Sequence, residues 1–473
     1  MKGGLCLQGL SIAHADRRML TDVSLDIPAG ESVCLIGSSG GGKSLIAAAI
    51  AGLLPDCMVA RGQVRLGTEE RAASDQAGLR DLWHQHSCLL PQEPAMALAP
   101  LLRGTDQVAL APPRLSREAA FAWLARFGLD RRAARRIPAE LSGGMAQRLL
   151  AALVARTSAR VLVVDEPTKG LDPECRAELV SALAALRDAG RAVLVITHDL
   201  DVVTMLGGQL AVLEAGRIAE AGSTDSLLRQ PRSAFLRACH AADPSSWKLR
   251  PRSPGGAGVA AGEALVIARG GRRLAGPLDV TLLEGQIRAV LGPSGVGKTT
   301  LADTLLGLVP PAAGRVAWFG GSLDTRRRRA LRPRFQKLHQ DPTTVFPARR
   351  TFGESFADLR LLPGSADSVA VIGQVLERLQ VPRTLLGRRP GEVSGGEAQR
   401  LALARILVLR PAMLVADEPC SRLDMPVQAE TMLLLRGLAD ETGLAVLLTS
   451  HDRRAAEAIA DDIFELRRIR LNT

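Results

Sequence analysis

Two eight-residue runs carry the strongest chemical signal in the chain. Gly37-Ser38-Ser39-Gly40-Gly41-Gly42-Lys43-Ser44 and Gly292-Pro293-Ser294-Gly295-Val296-Gly297-Lys298-Thr299 both fit G-x-x-x-x-G-K-[ST]. Glycines at this spacing let backbone N–H groups turn inward around phosphate oxygens. A helix opening just after them adds the favourable end of its dipole. Lys43 and Lys298 are then the residues to reach the β- and γ-phosphates of a nucleotide. Ser44 and Thr299 are the residues to ligate Mg2+ through their hydroxyls. Each run sits between a predicted strand and a predicted helix, which separates a phosphate loop from an ordinary glycine-rich turn.

Further pieces follow each loop in the same order. An apolar run ends in Asp165-Glu166 in the first half and in Asp417-Glu418 in the second. An acid ending such a strand suits Mg2+, held mostly through water. The Glu beside it can polarise the water that attacks a γ-phosphate. A segment with Gln92 recurs as Gln340, Ser142-Gly143-Gly144 as Ser394-Gly395-Gly396, and Thr197-His198-Asp199 as Ser450-His451-Asp452. The offset between copies is roughly 250 residues throughout, so the chain reads as two homologous domains and not a solenoid.

The elements that must position these residues are legible in outline. Short apolar runs at 32–36, 160–164 and 192–196 read as buried strands, and 45–50 and 173–189 as helices. The second half repeats this with strands at 286–291, 413–416 and 445–448 and a helix at 299–306. Strands alternating with helices argue an α/β fold with a parallel sheet covered on both faces. Looser alternation over residues 5–27 reads as antiparallel strands, and residues 115–153 as a helical subdomain. The domains expected are 1–240 and 263–473. Residues 241–262, rich in Pro, Gly, Ser and Ala, read as a flexible linker.

Composition narrows the functional classes. The chain has 473 residues, 47% of them hydrophobic, enough for two cores. Its net charge of +11 would suit a solvated surface, an anionic membrane face or nucleic acid. The densest basic patches are Arg131, Arg132, Arg135 and Arg136, and residues 326–329. No aromatics interleave them and tyrosine is absent, so a base-stacking surface is not suggested. No two of the seven cysteines lie at C-x-x-C spacing, so a zinc or iron–sulfur site is not expected and a reducing compartment is. No apolar run reaches the ~18–20 residues of a membrane helix, and the N-terminal residues lack the sustained apolar stretch of a signal peptide. A soluble cytoplasmic protein is expected; other chains would supply any channel.

The segments Leu141-Ser142-Gly143-Gly144-Met145-Ala146-Gln147-Arg148 and Val393-Ser394-Gly395-Gly396-Glu397-Ala398-Gln399-Arg400 resemble the signature motif of ABC-type ATPases. A Ser hydroxyl and Gly amides opening a helix form an anion site. The resemblance extends over nearly the whole chain. It implies two P-loop ABC-type nucleotide-binding domains in tandem, each with a mixed or parallel sheet core, an antiparallel β subdomain and a helical subdomain. It implies Q-loop roles for Gln92 and Gln340, D-loop roles for Asp172 and Asp424, and switch roles for His198 and His451. It also implies that the halves pair head to tail as a pseudo-dimer. One ATP would lie between the first phosphate loop and Ser394, the other between the second loop, with Thr300, and Ser142. Glu166, His198, Glu418 and His451 would be catalytic, and both sites would hydrolyse. Ser44, Gln92 and Asp165 would hold one Mg2+, and Thr299, Gln340 and Asp417 the other. His14 and Arg269 occupy the positions where the family often stacks an aromatic on adenine; imidazole and guanidinium can stack too.

Within that family, Gln92-Glu93-Pro94 and Gln340-Asp341-Pro342 with their following residues resemble the Q-loop of peptide and nickel importer ATPases. Leu423-Asp424-Met425-Pro426-Val427-Gln428-Ala429 and Gln230-Pro231-Arg232-Ser233-Ala234-Phe235-Leu236 resemble two more of their segments. This implies work at the cytoplasmic face of the cell membrane with two transmembrane permease subunits and an extracytoplasmic substrate-binding protein, and no nucleic acid. Nickel, or a metal on a small opine-like chelator, is the leading cargo expected, with peptide next. The alternative is a soluble tandem ATPase of translation or DNA repair. Those usually join their halves by a long charged helix, unlike the short, nearly uncharged stretch at 253–261.

Overall fold

The computed structural model describes residues 3–467 apart from 16, 39, 84, 93, 169–170, 172, 248–254, 294, 362–367 and 422. The chain divides into two units, residues 1–240 and 241–473.

In the first unit, β1 (Leu5–His14), β2 (Arg17–Ile27), β4 (Met58–Leu66) and β5 (Glu69–Ala72) form an antiparallel sheet in the order β2-β1-β4-β5. β3 (Ser32–Gly37), β6 (Ser87–Leu90), β7 (Val161–Asp165), β8 (Ala192–Ile196), β9 (Gln209–Glu214) and β10 (Arg217–Ser223) form the second sheet, ordered β10-β9-β3-β8-β7-β6. All its pairings are parallel except β10 with β9. Every residue of β3, β7 and β8 is buried, as continuous apolar runs covered on both faces must be. The helix Lys43–Ile50 presents Ile46, Ala47, Ala49 and Ile50 to one core shared with both sheets. Because Ile46 and Ile50 have no exposed surface, truncating either to Ala would cost about 2–5 kcal/mol. The helix that starts with the loop lysine is therefore clamped along its length. The longest helices between β6 and β7 are Gly104–Leu110, Arg117–Ala125 and Gly143–Ala155.

The second unit repeats the plan. β11 (Gly258–Arg269), β12 (Arg272–Leu283), β14 (Ala313–Trp318) and β15 (Gly321–Ser322) are antiparallel, in the order β12-β11-β14-β15. β13 (Ile287–Leu291), β16 (Phe335–Leu338), β17 (Met413–Asp417), β18 (Ala445–Ser450) and β19 (Asp462–Glu465) form a wholly parallel sheet ordered β16-β17-β18-β13-β19. Among the described residues no helix is long and apolar enough to cross a membrane.

The segment expected as linker differs from its composition. Asp243 caps the turn Pro244–Ser246 and accepts from Arg454 at 3.0 Å, while Trp247 packs on the core of the second unit. β11 begins at Gly258, ahead of the expected domain start at 263. Pro and Gly dominated the composition, but one tryptophan and one capping acid are enough to anchor the first part.

Candidate nucleotide sites

Topology gathers the recurring residues. In the first unit β6, β7, β8 and β3 are neighbours and parallel, so their C-terminal ends lie side by side. Gln92 follows β6, Asp165 ends β7, His198 follows β8, and the phosphate loop follows β3. In the second unit β16, β17, β18 and β13 do the same for Gln340, Asp417, His451 and the second loop.

Both loops take a backbone course that only glycine allows at several positions. A Cβ at Gly37 would lie 2.2 Å from the carbonyl oxygen of Leu213, and one at Gly292 lies 2.5 Å from that of Leu466. Gly42 and Gly297 enter the helices at φ +96° and +112°, in the left-handed region that favours glycine. Gly40 and Gly295 (φ +78° and +75°) form open tips. The Lys43 ammonium donates to the carbonyl oxygens of Gly37 and Ser38 at 2.8 Å each; that of Lys298 donates to Gly292 at 2.7 Å and Pro293 at 3.3 Å. Each lysine is buried at the positive end of an eight-residue helix with no acid in its first turn. Two positive features side by side fit a polyphosphate. Gly41, Ser44, Val296, Thr299 and Thr300 complete the two runs; Ser39 and Ser294 lie outside the described residues.

The acids sit at a distinctive backbone turn. Asp165 and Asp417 are buried strand ends, and the next residues, Glu166 and Glu418, take φ of +48° and +47°. A left-handed non-glycine residue is strained by about 1–3 kcal/mol and persists only where its surroundings impose it. Here the Glu166 N–H donates to Ile196 at 2.8 Å, and the Glu418 N–H to Thr449 at 3.1 Å. The turn aims both carboxylates off the sheet edge. Nothing in the residue types alone announces this conformation.

The partners of the two carboxylates differ. Glu166 Oε1 lies 2.8 Å from Nδ1 of His198. Burial disfavours the His198 imidazolium, but the bond and charge of Glu166 outweigh it and raise its pKa above the ordinary value. Glu418 Oε2 accepts from Gln340 at 3.2 Å and lies 3.8 Å from His451, while its Oε1 lies 3.7 Å from the Lys298 ammonium. The facing His451 holds the Glu418 pKa below the ordinary value; burial opposes this and Lys298 adds to it.

Oxygen donors suited to Mg2+ converge in the second half, where the Thr299 hydroxyl donates to Asp417 Oδ1 at 3.1 Å. Three neighbours went unread in the sequence. The Thr449 hydroxyl donates to Asp417 Oδ1 at 2.7 Å, and the Lys337 ammonium lies 3.0 Å from Asp417 Oδ2 and 2.7 Å from Asp303. Burial opposes the Lys337 charge, but the two carboxylates outweigh it and raise its pKa.

Ser142 and Ser394 each cap a thirteen-residue helix, accepting at 3.3 Å from Met145 and Glu397. The Ser394 hydroxyl also donates to Glu397 at 2.8 Å. Gly143, Gly144, Gly395 and Gly396 form the first turns of these helices. Asp424 caps the helix Met425–Thr442; Asp172 lies outside the described residues. His14 and Arg269 are exposed at matching hairpin ends, paired in register with Arg17 and Arg272.

The sequence profile of the family described as ABC transporter matches residues 20–169 and again 276–421. The peptidoglycan transport ATP-binding protein YejF of Agrobacterium fabrum is 32% identical over 98% of this chain and 91% of that protein. The oligopeptide transport ATP-binding protein OppD of Mycobacterium tuberculosis is 29% identical over 93% of this chain and 89% of its own length. The glutathione import ATP-binding protein GsiA of Escherichia coli K12 is 29% identical over 96% and 83%. Among solved structures, the archaeal ribosome recycling factor aABCE1, in complex with ribosomal stalk protein aP1, matches with a TM-score of 0.66 over 97% of this chain and 87% of that one. At 20% identity this is a likeness of fold.

Proposed function

The chain belongs to the ABC transporter family as a tandem ATPase, and from that premise we propose that it is the energy-coupling subunit of an importer for peptides. The observation that supports this best is the completeness of both kits. Each half keeps a phosphate loop with its lysine, a strand-end Asp-Glu, a Gln and a His on adjacent strand ends.

In this reading the loop amides with Lys43 and Lys298 bind the phosphates. Ser44, Asp165 and Gln92, and Thr299, Asp417 and Gln340, hold Mg2+, which when bound neutralises phosphate charge and orients the γ-phosphoryl group. Glu166 and Glu418 accept the proton of the attacking water as its oxygen bonds to the γ-phosphorus and the bond to ADP breaks. His198 and His451 orient those carboxylates and respond to the γ-phosphate. Ser142 and Ser394 serve as anion sites for nucleotide, and His14 and Arg269 lie against adenine. Closure and reopening would pass through the segments after Gln92 and Gln340 to two permease subunits at the cytoplasmic face, served by a binding protein outside.

Peptide stands first as cargo because the relatives' names mention peptidoglycan, oligopeptide and glutathione. Nickel and a metal–chelator complex, first on the sequence segments, find no support in those names. The test is uptake of a labelled tripeptide, and separately of labelled nickel with and without chelator, in deletion cells. They receive either the wild-type chain or the Glu166→Gln/Glu418→Gln chain. Peptide uptake restored by the wild type alone is expected. Restoration of nickel uptake without peptide uptake would return the metal to first place, and no restoration of either would remove the importer reading.

A further inference from the structure

The surroundings of the two metal-binding aspartates are not the same. Strand register makes the halves comparable position by position: Leu89 pairs with Val163 as Lys337 pairs with Val415, and Asp165 pairs with Ile196 as Asp417 pairs with Thr449. Ala48 and Asp303 each stand five residues after their loop lysine. At these three positions the first half holds Leu89, Ile196 and Ala48, with no charge and no hydroxyl. The second half holds Lys337, Thr449 and Asp303.

The three polar side chains act on one carboxylate. The Thr449 hydroxyl, wholly buried, donates to Asp417 Oδ1 at 2.7 Å. The Lys337 ammonium lies 3.0 Å from Oδ2 and 2.7 Å from Asp303. Adding Lys337 and Asp303 together leaves the net charge unchanged but places a cation directly against the Asp417 carboxylate. A divalent ion would therefore meet a carboxylate already held by a hydroxyl and partly neutralised.

We propose that Lys337, supported by Asp303 and Thr449, is a positioning residue that lowers the metal affinity of the second ATP site. The proposal rests on the reading of Asp417 as an Mg2+ ligand. Its consequence is that the second site fills only at a higher Mg2+ concentration than it would without Lys337. Coulomb attraction across a few ångströms at an effective dielectric near 20, largely offset by Asp303, gives a difference of about three- to tenfold in metal affinity.

The experiment titrates Mn2+ by electron paramagnetic resonance into the full chain with a non-hydrolysable ATP analogue. Lys43→Ala silences the first site, so the signal reports the second. Lys337→Leu/Asp303→Ala/Thr449→Ile, which installs the side chains of the first half, is expected to tighten Mn2+ binding roughly three- to tenfold. Lys337→Met alone, which leaves Asp303 uncompensated, should tighten it further and offers a second route if the triple variant folds poorly. Lys337→Arg should restore the weak binding. Unchanged affinity in both the triple variant and Lys337→Met would overturn the proposal. Asp417→Asn in the same background tests the underlying metal assignment. Loss of Mn2+ there, with Lys337 variants unchanged, removes this proposal alone; retention of Mn2+ removes both.

Discussion

The two halves hold the same kit and arrange it differently around the glutamate that follows the strand-end aspartate. In the first, Glu166 is engaged by His198 at 2.8 Å. In the second, Glu418 is engaged by Gln340 at 3.2 Å, with His451 standing at 3.8 Å and Lys298 at 3.7 Å. Both acids share the same left-handed backbone turn. The backbone therefore fixes where the carboxylate starts, and the side chains around it decide which way it leans. A Gln from one neighbouring strand end and a His from another can each hold the same acid.

The largest effect that can test this equivalence is loss of the acid itself. Glu166→Gln and Glu418→Gln are isosteric and keep the turn, so each should abolish proton acceptance at its own site, slowing it by about 10²–10⁴-fold. If the halves are equivalent bases, each single variant should leave the other site able to turn over and the double variant should leave almost nothing. Single-turnover measurements on the three chains decide it. A Glu418→Gln chain hydrolysing ATP at the wild-type rate at both sites would break the comparison outright.

The loop lysines come next. Each buried ammonium is held by two loop carbonyls and is available to a phosphate as a charge-assisted donor. Lys43→Ala and Lys298→Ala should each weaken nucleotide binding in their own half by roughly 10–100-fold, the equivalent of about 1.5–3 kcal/mol. Binding of a fluorescent ATP analogue should then show one site lost and one retained in each variant. Loss of both sites from a single change would mean that the halves bind cooperatively and cannot be compared one at a time.

The fold and the motif positions were legible because each depends on local chemistry. A fully buried strand must be a run such as Val161–Asp165, and a phosphate loop must place glycine where φ is positive, as at Gly42 and Gly297. What escaped depends on neighbours distant in sequence. Lys337 sits in the mixed strand Phe335–Leu338, and only the pairing of that strand with Met413–Asp417 brings it to Asp417. The left-handed turn at Glu166 and Glu418 follows from an N–H captured by the adjacent strand, which no residue type encodes. In the segment after residue 241 the average composition is loop-like, and the contacts of Trp247 and the cap of Asp243 are individual features that an average does not carry.

Backbone strain gives a smaller, purely structural comparison. A methyl group at Gly42 would meet the end of the Leu20 side chain at 2.7 Å, and one at Gly297 would meet that of Ile267 at 3.0 Å. Both obstacles are flexible side-chain ends, so the left-handed backbone supplies most of the penalty. Gly42→Ala and Gly297→Ala should each destabilise their own unit by about 1–3 kcal/mol, with Gly42→Ala the worse. Denaturant unfolding of the nucleotide-free chain measures this. A larger loss from Gly297→Ala would mean that the Leu20 side chain yields more readily than that of Ile267.

The smallest expected effect is a pH dependence at His198. The pKa of His198 is raised above its ordinary 6.5 because its bond to Glu166 outweighs the cost of burial. A group raised on folding contributes stability fully below its unfolded value and loses it as pH climbs through the folded value. His198→Ala should therefore lower the melting midpoint of nucleotide-free protein more at pH 6 than at pH 9, with a difference of a few degrees at most, roughly 1–3 °C. A His198→Ala loss that is the same at both pH values would instead assign the 2.8 Å contact to a neutral imidazole donating its Nδ1 hydrogen to the carboxylate.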